Sequence, residues 1–375
     1  MRPGERITLH VHSESPRYDS TVVRLHRPFS ESDHSGAEEL TGTREPHDDG
    51  RQRESDTGSF AVLPLPDDWL SGNGFTVALR FLPWLPGTGR EQTVLAVQDK
   101  GGEVRLELVV RGDDRLVARL DGDGSGAEAV CRPALAPRCW YQVAVVFDCT
   151  AQRLDLHLRS IGAGWGSAVE TTSSTQADTG YRDTVAWTTL AGVRRPGAWT
   201  VPRADRHFNG KIENPAFWSR ALGSDELGSD ELVEAPGRAA LIAAYDFGRD
   251  FTGTVLHDRS GNERHGTLHQ APQRGVTGSR WDGTAGDFRV CGQHYAAVHF
   301  HDDDLEDAGW PPARTWAVPD LAPGAYAFRL HSDDETDHIP FFVHSRSHAP
   351  ALFLAPTFTY LAYANEHLYA AGGNQ

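Results

Sequence analysis

Chemistry in this chain would start from its clustered ionisable side chains. The densest run is His299-Phe300-His301-Asp302-Asp303-Asp304. On a strand, His299 and His301 would share a face, and two imidazoles with carboxylates close behind have the donor types of a metal site. The same letters also describe a strand end running into a solvated acidic turn, and that is the reading adopted. His331, Asp333, Asp334, Asp337 and His338 read as a polar loop ahead of Ile339. Asp121-Gly122-Asp123 has the look of a turn rather than a calcium loop. Trp165, Trp187 and Trp199 could line a sugar-binding face or be buried, as tryptophan routinely is in β-sandwiches. A glycine-rich phosphate loop, a nucleophile elbow and a Cys/His pair are all missing, so kinase, serine hydrolase and thiol protease readings lack support.

The elements around these groups read as strands. Ile7, Leu9 and Val11 alternate with polar neighbours, and Thr21 to Leu25 forms a second short run. Residues 30–57 carry almost no large apolar groups and read as a linker or mobile loop. From Phe60 onward alternation dominates. Phe75, Val77, Leu79 and Phe81 share one face, and Val104 to Val110, Leu116 to Leu120 and Leu154 to Leu158 repeat the pattern. Trp140 to Phe147 is apolar on both faces, as a central strand should be. Strands at this spacing, broken by Gly-Asp and Pro-Gly turns, predict an antiparallel sandwich. Two strands before residue 30 are too few for a core, so they are expected to join residues 238–347 in a split sandwich that receives the other as an insertion. Ala351-Leu-Phe-Leu-Ala355 reads as a strand buried on both faces, opening an α/β unit over 348–375.

Bulk properties narrow the function classes. The 375 residues carry a formal charge of −16, which argues against nucleic acid and anionic membrane surfaces. Only Lys100 and Lys211 are lysines, so arginine supplies nearly all the positive charge. Met1 is followed by Arg-Pro-Gly-Glu-Arg rather than an apolar leader, and four cysteines without CxxC spacing suit reduced thiols. A cytoplasmic location is the expectation.

Gly210-Lys-Ile-Glu-Asn-Pro-Ala-Phe-Trp-Ser-Arg-Ala-Leu222, followed by Ser-Asp-Glu-Leu, resembles the closing segment of laminin-G-like, concanavalin-type jelly rolls. That resemblance covers residues 58–237. Gly223–Leu227 recurs as Gly228–Leu232, a duplication that extends a surface turn or short helix. A wider resemblance is carried by Ala243-Ala-Tyr-Asp-Phe247, His265-Gly-Thr-Leu268, Arg274-Gly-Val-Thr-Gly278, Trp281-Asp-Gly283 and Phe300-His-Asp-Asp-Asp-Leu305. It continues through Tyr326-Ala-Phe-Arg-Leu330, Ile339-Pro-Phe-Phe-Val343 and Ala355-Pro-Thr-Phe-Thr-Tyr-Leu-Ala-Tyr-Ala-Asn-Glu366. In that order, with a jelly roll upstream, they resemble the large (beta) subunit of N,N-dimethylformamidase-like amidases.

The resemblance implies hydrolysis of small N-substituted amides, a mononuclear iron held by tyrosine and glutamate oxygens, and pairing with a small helical subunit. It places one iron-ligand tyrosine at Tyr360 or Tyr363 and, more weakly, a substrate contact at Asn365. The remaining ligands would lie beyond Gln375, which implies an N-terminal portion that is inactive by itself. A phenol with a pKa near 10 would need a highly charged ion to be held as phenolate. Without the resemblance, both tyrosines would read as packing residues. The alternative function is a non-catalytic pair of sandwiches that recognises a carbohydrate or a protein.

Overall fold

The computed structural model describes residues 1–26, 36–121, 126–162, 168–177, 184–197, 201–228, 232, 239–332, 335–345 and 354–359. The chain divides into residues 54–309 and a second unit built from 1–53 with 310–375. Both are antiparallel β structures.

Residues 54–309 form a jelly-roll sandwich. One sheet has the order Ala127–Ala134, Arg115–Leu120, Val104–Val110, Gln92–Asp99, Val185–Leu190, Phe60–Leu63, Gly266–His269. The facing sheet runs Leu241–Asp246, Gly210–Trp218, Gly74–Pro83, Trp140–Asp148, Arg153–Ile161, Glu170–Gln176. The short strand Val255–Asp258 pairs with Gly266–His269 and with Leu241–Asp246, so it links the two sheets. Alternation decides which side chains meet between them. Phe75, Val77, Leu79 and Phe81 enter one core with Val143, Val145, Phe147 and the inward residues of the opposite sheet. Trp69 packs edge-on against Phe217 at 5.7 Å, and Phe217 against Tyr245 at 6.3 Å, an arrangement aromatic quadrupoles favour.

The strand Gly74–Pro83 is buried along its whole length, because the outer face of its sheet is covered too. Ala78, Ala144, Ala216 and Ala244 make a flat outer surface onto which Trp218, Leu222 and Leu232 pack. Next to this apolar patch, Arg80, Gln142, Lys211 and Glu213 are buried as a polar group. Lys211 Nζ donates to the carbonyl and hydroxyl oxygens of Thr277, both at 2.9 Å, and Glu213 Oε2 accepts the Ser279 N–H at 2.9 Å. Segment 277–279 therefore lies over the sheet by polar bonds rather than by apolar contact.

The second unit has the sheet Glu335–Val343, Gly324–Ser332, Tyr18–Leu25, Ala37–Glu39, with Glu45–His47 also on Tyr18–Leu25. Arg6–Leu9 pairs with Arg314–Ala317 as a separate ribbon. Its core gathers Leu9, Val11, Tyr18, Val22, Val318, Tyr326, Phe328, Phe341 and Val343. Buried Arg314 donates to Ser20 Oγ at 2.7 Å and to the Thr43 carbonyl at 3.0 Å, and its Nε lies 2.7 Å from Glu45.

Two boundaries differ from the sequence reading. The strands between 241 and 300, read as part of a split sandwich over 238–347, pair instead within the jelly roll: Ala216 opposes Ala244, and Ile212 opposes Val298. Ala243, Tyr245 and Phe247 fill the core while Ala244 joins the outer alanine surface, so this strand fits only where both faces are covered. Residues 36–53, read as linker, are ordered instead. Their pairing with Tyr18–Leu25 needs backbone groups only, and it is reinforced by the Val22 N–H to Thr43 Oγ1 bond at 3.0 Å and by His47 stacked on Tyr18 at 4.6 Å. Residues 351–353 of the expected α/β strand lie outside the described residues, and Leu354 and Phe358 are exposed.

Candidate functional site

Ala297–Phe300 is hydrogen-bonded between Gly210–Trp218 and Gln273–Val276, with Lys211 opposite His299. As alternation requires, His299 and His301 face the same way, their rings 3.9 Å apart. Trp84 closes over His299 at 5.1 Å. His299 is 6% exposed, and its Nε2 has no partner among the described residues. Burial, with His301 and Lys211 adding like charge, holds its imidazole down to about 3. It is a neutral packing residue.

The chain then leaves the strand through a tight turn. Asp304 Oδ2 accepts the Ser59 hydroxyl at 2.6 Å and the His301 N–H at 3.2 Å, while the Ser59 N–H reaches the His301 carbonyl at 2.9 Å. Asp304 is thus spent on closing the turn. Among the described residues no three His, Cys, Asp or Glu side chains come together in a way that could hold a metal ion. The run 299–304 is a strand end with a structured acidic turn.

This turn borders a cleft of about 700 Å³. One wall is the segment Thr88, Arg90, Glu91 and Gln92 that leads into the strand Gln92–Asp99. The other is Arg206, His207 and Asn209, just before the strand Gly210–Trp218, with Asp302 beside them. An ion-pair ladder stiffens the first wall. Arg119 donates to Glu91 at 2.7 Å and to Glu128 at 2.9 Å, and Arg206 reaches Glu107 at 2.8 Å. Hydrogen bonding to Arg119 holds the Glu91 carboxyl below its ordinary range despite the opposing effect of burial. Sequence reading missed this cleft because its residues come from three distant segments. Only the position of Asn209, directly before the Gly210 closing motif, could have drawn attention to it.

The other sequence candidates separate. Tyr360, Tyr363 and Asn365 lie outside the described residues, as do Gly122, Asp123, Trp165, Trp199, Asp333 and Asp334. Asp121 takes an ion pair from Arg105 at 3.3 Å. The Arg194 guanidinium lies over the Trp187 ring at 4.3 Å. His331 bonds Thr336 across a hairpin at 3.0 Å. All four cysteines are unpaired, and burial pushes the Cys131 thiol up to about 12. No helix among the described residues is long and apolar enough to cross a membrane.

Comparison with known proteins supplies the context. Residues 273–375 match the family described as N,N-dimethylformamidase beta subunit-like, C-terminal, and residues 56–228 match the concanavalin A-like lectin/glucanases superfamily. The chain is 31% identical to the N,N-dimethylformamidase beta subunits of an Alcaligenes species and of Paracoccus aminophilus, over 97% and 98% of its own length. It covers 51% of each, so it spans about half the length of the curated relatives it matches. Among solved structures, domains LG4-5 of the mouse laminin alpha1 chain align with 52% of this chain and 48% of their own at 14% identity and a TM-score of 0.31.

Proposed function

We propose that this chain is part of a metal-dependent amide hydrolase of the N,N-dimethylformamidase type, acting on small N-substituted amides to give a carboxylate and an amine. The observation that carries this reading is the 31% identity extending over nearly the whole chain. Similarity of that extent supports a dimethylformamidase-related role. The reading assigns the described sandwiches to scaffolding and recognition. The chemistry is assigned to the tyrosine loop, with Tyr360 or Tyr363 as an iron ligand and Asn365 toward the substrate, in company with a small helical subunit. A bound iron would supply the positive charge that holds a phenolate and polarises an amide carbonyl.

A direct assay tests the reading. Joined to the remaining length of the Paracoccus aminophilus beta subunit and expressed with the small subunit, the chain should release dimethylamine from dimethylformamide. Tyr360→Phe or Tyr363→Phe should abolish iron retention in at least one case without unfolding the protein, since only a hydroxyl is lost. Unchanged iron content and turnover in both variants would overturn the tyrosine assignment. The 375-residue chain alone should show no turnover, because one loop supplies fewer than the about three protein ligands an open metal site uses.

A second reading applies to residues 54–309. The polar cleft favours a recognition role for the jelly roll, and this is compatible with membership of a hydrolase.

A further inference from the structure

We propose that the cleft beside Asn209 binds a small zwitterion: a free amino acid or short peptide presenting both its carboxylate and its ammonium group. This rests on residues 54–309 alone and stands independently of the amide-hydrolase reading. A volume of about 700 Å³ lies within the size range of small-molecule sites.

Most polar atoms lining the cleft already have partners. Gln92 donates through Nε2 to the Leu85 carbonyl at 2.7 Å and accepts the Asn209 N–H at 2.9 Å. The ring nitrogens of His207 face the carbonyls of Ser59 and Ala204 at 3.2 and 2.9 Å. Arg206 is held by Glu107, and Glu91 by Arg119. Subtracting these leaves four groups. The Thr88 oxygen receives the Arg90 N–H at 3.3 Å and Gln92 Nε2 at 3.4 Å, so its own proton is free to be donated. The Arg90 guanidinium and the Asp302 carboxylate make no ion pair among the described residues.

The fourth group is Asn209, which is 4% exposed. Its Oδ1 accepts the Asp302 N–H at 3.1 Å, and only an oxygen can do so, which fixes the amide's orientation. Nδ2 is then the atom left over, without a partner among the described residues, in a side chain that lines the cleft. Nδ2 is open to the cleft rather than sealed in the interior, so it meets water when the cleft is empty and can exchange that water for the carboxylate of an occupant.

Charge selects the ligand class. A simple anion would be drawn to Arg90 but repelled by Asp302, and a simple cation the reverse. A molecule with both charges satisfies each: its carboxylate takes Arg90, Asn209 Nδ2 and the Thr88 hydroxyl, and its ammonium takes Asp302. A neutral polyol would leave both charges unmatched.

The experiment is a ligand-observed NMR titration of the full chain at low ionic strength with glycine, triglycine, N-acetylglycine and glycinamide. At least one of the zwitterions should bind at millimolar concentration, glycine indicating a free amino acid and triglycine alone a peptide. N-acetylglycine, which lacks the ammonium, and glycinamide, which lacks the carboxylate, should each bind about tenfold more weakly or worse. Arg90→Met and Asp302→Asn should each weaken the zwitterion by a similar factor and leave the melting temperature unchanged, because both side chains are exposed. Failure of both zwitterions to bind, equal binding by the singly charged analogues, or indifference to either substitution would overturn the proposal.

Discussion

Glu213→Ala should cost the jelly roll about 3–5 kcal/mol, the loss expected when one member of a buried charged group is removed and the others stay. Glu213 is fully buried and opposes Arg80 across neighbouring strands. Its carboxylate accepts the Ser279 N–H at 2.9 Å. It also supports the charge on Lys211, whose ammonium burial pushes below its ordinary range. Alanine would leave Lys211 with only the Thr277 oxygens, and would leave the Ser279 N–H without its acceptor. The conservative Glu213→Gln keeps an oxygen for Ser279 and removes only the charge, so its loss should be smaller. Denaturant unfolding reads both, as a lower midpoint with an unchanged slope. A loss under about 1 kcal/mol for the alanine variant would mean that this polar layer is solvated and does not hold segment 277–279.

Stability should also fall in mild acid because of His299. The folded imidazole titrates at about 3 and the unfolded one at 6.5, so only the unfolded state takes up the proton between those values. The contribution is fully present above pH 6.5 and is lost progressively as pH falls toward 3. Between neutral pH and pH 5 the linkage amounts to about 2 kcal/mol. His299→Phe removes the titrating group and a ring nitrogen that has no partner among the described residues, while keeping an aromatic ring beside Trp84 and His301. The variant should therefore unfold with a visibly shallower dependence on pH between 7 and 5. An unchanged slope would show that His299 protonates freely in the fold.

Strand identity was legible from the sequence because alternation is a local property. Phe75, Val77, Leu79 and Phe81 had to share a face whatever lay opposite, and they do. The jelly roll was likewise announced by the Gly210–Leu222 segment, whose strand is central to its sheet. The acidic stretch after His301 was legible as a turn because polar residues follow the last apolar strand position, and Asp304 closes that turn by accepting the Ser59 hydroxyl and the His301 N–H.

What the sequence could not assign was partnership. Leu241–Asp246 is apolar on both faces, and such a run calls for burial on both sides without naming the strand beside it. Only assembly showed that Ala244 must meet Ala216 on one surface while Tyr245 fills the core on the other. The same limit hid the ordered strands at Ala37–Glu39 and Glu45–His47, whose pairing uses backbone groups common to every residue. It hid the cleft as well. Thr88, Arg90, Asn209 and Asp302 stand in three segments separated by more than a hundred and by about ninety residues, and none of them is unusual in its own surroundings. Their significance lies in which polar atoms remain unpaired once all the others have found partners, and that balance exists only in the folded chain.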